Sequence, residues 1–317
     1  MKPRIAPTFY LGLALILAAE ILLYCDVQST HRGPLETQPA VLSLPDPETP
    51  LATLARWTAI FMTPVAWLGY ILFLDGLLAP TITGSPLRRR PNAFAFCALS
   101  SIVIWCVFDT INFYCFSPPA WTYIGPPLLW PPRFLGYVIA FAAELPAMFM
   151  TAQIVFNKFR LDRLRGPSWK LPPIAGPIIC LFGIALLAWA VLGRRAVANY
   201  GLWLSFILLL DPINLRYGQP SILADWQAGR YGRTLALGAG GLCCGFLWEF
   251  WNYWALSKWI YHLPFLGQWE QIRYFQMPIT GLLGFIPFGV ECWVMWQTAA
   301  IPLRGLAEPL PNDETTI

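Results

Sequence analysis

Ile71-Leu72-Phe73-Leu74-Asp75 closes one apolar run of the chain, and Ile207-Leu208-Leu209-Leu210-Asp211 closes another, 136 residues further on. The match extends along both halves. The next run of the first half ends in Trp105, Asp109, Asn112 and Phe113; its counterpart holds Trp248, Glu249, Asn252 and Tyr253. A Trp-x-Tyr follows each, at Trp121/Tyr123 and Trp259/Tyr261. Leu135-Gly136-Tyr137 with Glu144 is then answered by Leu283-Gly284-Phe285 with Glu291. The matched acids are offset by 136, 140 and 147 residues, a drift that loop lengths explain. Self-similarity at this scale marks an internal repeat.

Composition sets the class. The 317 residues are 57% hydrophobic, 15% aromatic and 12% charged. A soluble domain carries about 25% charged residues, so this chain cannot cover itself with polar surface. Runs near the 20 residues needed to span a bilayer fall at 8–25, 57–79, 93–116, 134–157, 171–193, 199–215, 234–256 and 277–299. The sixth is the weakest, since Asp211 and Pro212 interrupt it and are expected to break the helix there. The expected fold is all-α: a polytopic membrane protein of about eight transmembrane helices in two parallel four-helix repeats. Residues 1–166 form the first repeat, with an extended outer loop at 26–50. Residues 167–304 form the second, and 305–317 a polar cytoplasmic tail. Four spans per half give both halves the same orientation, with a pseudo-twofold axis along the membrane normal.

Lys and Arg are retained on the cytoplasmic side of short loops. Placing the N-terminus inside puts 14 of the 21 on that side and 7 on the other, so both termini are expected to be cytoplasmic, in a bacterial inner membrane. Lys2 and Arg4 before the first run resemble a secretory leader. However, Glu20 lies inside that run and no small-x-small site follows, so a retained anchor is expected. The basic runs are short and flank spans, which gives nucleic acid no binding surface. The eight cysteines show no CxxC spacing, and His31 and His262 are the only histidines. Neither a metal nor any other cofactor is expected. The proline-rich stretch 117–132, with Trp121, Tyr123 and Trp130, suits an interfacial aromatic belt.

The chemistry should lie with the acids. A carboxylate at bilayer depth costs a few kcal/mol and marks a functional site by default. Six of the seven such acids pair across the repeat, leaving Glu20 alone. Asp75 and Asp211, near cytoplasmic ends, read as capping or loop-ordering groups, with Asn214 bonding backbone freed by Pro212. Asp109, Glu144, Glu249 and Glu291 lie deeper and are the candidate catalytic groups. Asp109/Asn112 and Glu249/Asn252, three apart, share a helix face that must look inward. A lone intramembrane Asn ordinarily tethers helices at about 1 kcal/mol, but three matched acid pairs exceed what tethering needs. Desolvation favours the neutral form of a carboxyl, and a neutral acid among aromatic rings can protonate an alkene. The ring faces then stabilise the carbocation. Trp248, Trp251, Tyr253, Trp259 and Tyr261 are the expected substrate contacts, with Asn112 and Asn252 orienting the acids.

The run Trp248-Glu249, Asn252, Lys258-Trp259-Ile260-Tyr261, Met277-Pro278, Gly284-Phe285-Ile286-Pro287 and Glu291 resembles the lycopene cyclase domain of membrane carotenoid cyclases. The likeness covers 100–150 and 240–297. The family's paired glutamates have one counterpart here, Glu291. The resemblance implies a redox-neutral cyclase or isomerase, started by protonating a double bond of a carotenoid or triterpenoid drawn from the bilayer. It implies Glu249 and Glu291 as acids in the second copy, and Asp109 and Glu144 in the first. The rivals are a proton-coupled secondary transporter and a non-catalytic membrane scaffold subunit. A homo-oligomer and a partner membrane enzyme are both compatible with the pattern.

Overall fold

The computed structural model describes residues 5–193, 198–262 and 271–303; the tail at 305–317 lies outside them. The chain enters through α1 (Pro7–Thr30), α2 (Gln38–Leu42), α3 (Pro50–Ile60), α4 (Met62–Leu78) and α5 (Pro86–Arg89). Then come α6 (Pro91–Cys115), strand β1 (Trp121–Ile124) and α7 (Trp130–Lys158). The second half runs α8 (Ala175–Gly193), α9 (Asn199–Arg216), α10 (Ile222–Gln227), α11 (Gly232–Trp254) and β2 (Lys258–Tyr261). Strands β3 (Arg273–Tyr274) and β4 (Met277–Pro278) lead into α12 (Ile279–Leu282) and α13 (Phe285–Ala299).

Among the described residues, six helical segments are long and apolar enough to cross a membrane: α1, α6, α7, α8, α11 and the α12–α13 stretch. The chain is therefore a helical integral membrane protein. Two of the eight expected spans differ. Residues 57–79 are a bent pair, with α3 and α4 meeting at 77°, and counting it as one span gives seven. The helix at 199–215 forms but is too polar to qualify, because Asp211, Asn214 and Arg216 crowd its last turns. Pro212 does not break it: α9 runs on to Arg216, since membrane helices tolerate proline where neighbours satisfy the freed backbone. Nor is 26–50 wholly extended. Residues to Thr30 continue α1, and Thr37 caps the short α2.

The long helices pack in one order in each half. Helix α1 lies on α4, α4 on α7 and α7 on α6; α8 lies on α9, α9 on α13 and α13 on α11. The α7–α11 contact joins the halves. At the α11–α13 seam a Cβ on Gly241 would strike the Phe285 carbonyl and one on Gly289 the Leu237 carbonyl. These helices touch backbone to backbone, as small residues allow in lipid.

Helix α7 is modified where it matters. Pro146 interrupts it from within, and just before it Ser101 of α6 enters the hydrogen-bond ladder. The Ser101 hydroxyl donates to the Phe141 carbonyl and accepts from the Leu145 N–H at 3.1 Å. That adds a buried serine to the backbone groups of 141 and 145, beside Glu144. Ser101→Ala removes both of these bonds. It is expected to lower stability by about 1–3 kcal/mol, read as a lower midpoint of thermal unfolding in detergent micelles.

Candidate functional site: two acids held by a strand pair shared between the halves

Helices α6 and α11 each present an acid and, three residues on, an asparagine. The asparagines do not hold the acids. Asn112 Nδ2 donates to the Trp121 carbonyl at 2.8 Å, and its Oδ1 accepts the Ala120 N–H at 2.7 Å. Asn252 does the same to the second motif: Nδ2 to the Trp259 carbonyl at 2.9 Å, and Oδ1 from the Trp259 N–H at 3.0 Å. Both asparagines are fully buried with their polar groups spent on backbone. The expectation that they orient the acids is corrected: they fix the strands that follow their helices.

Those strands are β1 and β2, which pair antiparallel across the two halves. Trp121 stands opposite Tyr261 and Tyr123 opposite Trp259. Gly125, at φ +69°, ends β1 where a Cβ would strike the Leu256 carbonyl, a conformation glycine accepts at least cost. Of the expected interfacial belt, Trp121 is buried and Tyr123 half-buried in the paired strands, while Trp130 is exposed.

Each strand's aromatics turn back on the acid of its own half. Asp109 Oδ1 accepts Trp121 Nε1 at 2.9 Å and the Tyr123 hydroxyl at 3.0 Å, with Oδ2 at 3.2 Å from the same hydroxyl. Tyr123 in turn accepts Trp105 Nε1 at 3.1 Å. Glu249 Oε1 accepts the Tyr261 hydroxyl at 3.0 Å. Its Oε2 is buried with no hydrogen-bond partner among the described residues. Burial first, and the neighbouring carboxyls second, hold both phenols well above the ordinary tyrosine value. They stay protonated and remain donors.

Two adjoining chambers share Trp105, Trp248 and Trp259 as walls. The larger, about 80 Å³, is otherwise closed by Trp121, Trp203, Tyr261, Phe285 and Phe288. Its rings are in contact: Trp105 and Trp248 centroids lie 5.4 Å apart, Trp248 and Trp259 5.7 Å, Trp203 and Phe288 5.2 Å. The smaller, about 60 Å³, is mostly apolar but includes Glu144, Tyr123, Tyr137, Arg133 and Lys258 in its lining. Glu144 is buried, and its Oε2 has no partner among the described residues.

The remaining candidates lie elsewhere. Glu291 is fully buried at the α9–α13 seam; it accepts the Phe206 N–H at 3.3 Å and lines neither chamber. Trp251 faces away, its ring 5.0 Å from Trp67, and Tyr253 stacks on Phe275 at 4.7 Å. Neither lines either chamber. Asp75 accepts the Ser85 hydroxyl at 2.5 Å and the Leu87 N–H at 3.1 Å, anchoring the start of α5. Asp211 accepts the Ser221 hydroxyl and the N–H groups of Ile222 and Leu223, anchoring α10. Asn214 ties α9 to α13 through the Val294 carbonyl and the Thr298 hydroxyl. Among the described residues, no three His, Cys, Asp or Glu side chains are grouped to hold a metal ion.

Lys258 was not singled out in the sequence, although a lysine heading a Trp-x-Tyr in a charge-poor chain is a signal. It is 1% exposed, its Nζ donating to the Tyr253 carbonyl at 2.6 Å and lying 5.4 Å from that ring's centroid. Desolvation pulls it down to about 8, against the attraction of Glu36 and Glu249. A folded-state value below the unfolded one means that the unfolded chain binds more protons between pH 8 and the ordinary lysine value. Stability from this group should therefore rise as pH increases through that window. The expected result is that part of the pH 7–10 rise in unfolding midpoint vanishes in Lys258→Met.

No family model, characterised protein or solved structure matches this chain.

Proposed function

We propose that the protein is a membrane-embedded, acid-initiated isoprenoid cyclase or isomerase acting on a carotenoid or triterpenoid without redox change. One observation carries this reading. Half-buried Asp109 and fully buried Glu249 each accept the hydroxyl of a tyrosine from the paired strands β1 and β2, and Tyr261 lines a chamber walled by tryptophan and phenylalanine. The carboxyls differ in their donors. Donors converge on Asp109 from Trp121 and Tyr123, which suits a carboxylate; Glu249 has one donor and one bare oxygen, which suits a carboxyl keeping its proton.

In the reaction, the Tyr261 hydroxyl, in the chamber wall, turns from Glu249 to the substrate and gives its proton to a double bond, while the Glu249 carboxyl replaces that proton on the phenol oxygen. The π electrons form the new C–H bond and leave a carbocation. Within a desolvated site, aromatic faces stabilise a cation by about 2 kcal/mol or more. Attack by a neighbouring double bond closes a ring. Loss of a proton from a carbon that reaches the adjoining chamber, where Tyr123 lies in the wall, to Asp109 through that hydroxyl restores a double bond and balances the charge. Glu144, in the adjoining chamber, is the second candidate acceptor. At about 80 Å³ the chamber is far smaller than a carotenoid or triterpenoid, so one end of the chain is engaged and the rest stays in the bilayer. The likeness to the lycopene cyclase domain points the same way.

We read the chain further as a duplicated four-span unit, α9 and the bent α3–α4 pair each completing a set of four. Support comes from the repeated helix packing, the equivalent duties of Asp75 and Asp211 and of Asn112 and Asn252, and the Trp-opposite-Tyr pairing of β1 with β2. The test is expression in hosts making carotenoid or triterpenoid precursors, with lipid extracts read by mass spectrometry. A new isomer of unchanged mass is expected. Proton-driven uptake into proteoliposomes without any product would favour transport instead.

A further inference from the structure

A third cavity, about 120 Å³, opens at the other ends of α6 and α13 from the aromatic chambers, among residues that the sites above do not use. Its lining includes two arginines, Arg90 and Arg233, and no acid. Arg233 pairs with Asp225, Nη1 to Oδ2 at 2.8 Å, a carboxylate it shares with Arg230, and its guanidinium lies 5.0 Å from the Trp293 ring centroid. Arg90 has no ion pair among the described residues, so the lining carries a net positive charge. Arg90 is also the residue before the first turn of the 25-residue α6, whose N-terminus has no side-chain cap and whose first N–H groups therefore face an open position. Independent of that helix end, α13 supplies buried donors. Trp293 is 0% exposed and Trp296 6%, and the indole N–H of each has no hydrogen-bond partner among the described residues. Gln297, 2% exposed, leaves its Oε1 unpartnered in the same lining. Buried polar groups are paired in the great majority of proteins, so a cluster of three unpaired ones points to a partner that the protein chain does not provide. The remaining wall is apolar, from Leu78, Phe94, Phe149 and Met150.

We infer that this cavity binds the phosphate head of an amphiphile, its oxyanions at Arg90, the α6 N-terminus and the two indole N–H groups, and its chain along the apolar wall. Donors from several directions match a tetrahedral oxyanion better than a planar carboxylate. The site is independent of the catalytic reading above. The test uses the full-length protein in phosphatidylcholine nanodiscs, titrated separately with inorganic phosphate, phosphatidic acid and geranylgeranyl phosphate, and followed by tryptophan fluorescence and the unfolding midpoint. At least one amphiphile should bind saturably and at least tenfold more tightly than inorganic phosphate; which one distinguishes a phospholipid from a prenyl phosphate. Arg90→Gln, at a half-exposed position, should weaken it at least tenfold, and Trp293→Phe with Trp296→Phe severalfold while keeping the packing. The inference is overturned if none of the three saturates, if inorganic phosphate binds as tightly as both amphiphiles, or if Arg90→Gln and the Phe variants bind like the natural chain.

Discussion

Glu249→Gln is expected to remove product formation, lowering the rate by about 10²–10⁴, the usual contribution of a positioned general acid. The substitution is close to isosteric. Its amide oxygen can still accept the Tyr261 hydroxyl, now at 3.0 Å from the carboxyl, so β2 and its pairing with β1 should persist. What disappears is the transferable proton. Asp109→Asn should show a loss of similar size, because an amide cannot take up the proton given back by substrate. Tyr261→Phe should lose less if water can enter the relay. Glu291→Gln is the internal comparison: the side chain lies at the α9–α13 seam, outside the chambers, and its effect on product should be the smallest of the three acids. The measurement is product per unit of membrane protein by mass spectrometry, with matched unfolding midpoints. Full product from Glu249→Gln would end the acid-catalysis proposal.

What could be read ahead of the structure follows from the range of the interactions involved. Membrane helices were legible because each span is a local property of about 20 apolar residues. The limits of that legibility appear at α9, whose last turns are polar, and at Phe61, where α3 and α4 bend because Pro64 cannot donate to the Ile60 carbonyl. The acids were legible because burial makes a charge conspicuous. Their partners were not. Trp121 and Tyr123 pair with Tyr261 and Trp259 across nearly 140 residues, and nothing local in Trp-Thr-Tyr or Trp-Ile-Tyr announces a strand. Asn112 and Asn252 carried the right position and the wrong duty, since spacing gives a helix face but not what lies opposite. Ser101 was invisible for the same reason: its place in the ladder of α7 depends on how α6 and α7 meet.

A second large effect is expected far from the chambers, at Asp26. This residue lies near the end of α1, 1% exposed, and holds two arginines: Arg32 at 3.0 Å and Arg56 at 2.7 Å. Arg32 also donates to the Trp254 carbonyl at 2.9 Å, at the last residue of α11. The network thus ties α1 and α3 to the helix that carries Glu249. Arg32 is itself buried, so Asp26→Asn leaves a desolvated guanidinium without its countercharge. Removing one partner of a buried ion pair costs about 3–5 kcal/mol, and an amide oxygen recovers only a fraction of that. The expected result is a large fall in the unfolding midpoint, with weakened product formation as the end of α11 loosens. A double variant separates the two contributions. If the loss is mostly stranded charge, Asp26→Leu with Arg32→Met should be more stable than Asp26→Asn alone, because an apolar pair of similar volume often replaces a buried ion pair at little cost. Arg56, partly exposed, can then turn to solvent. If the double variant is instead the less stable, the value of the network lies in the hydrogen bond from Arg32 to Trp254. In that case Asp26 acts by orienting Arg32 rather than by neutralising it.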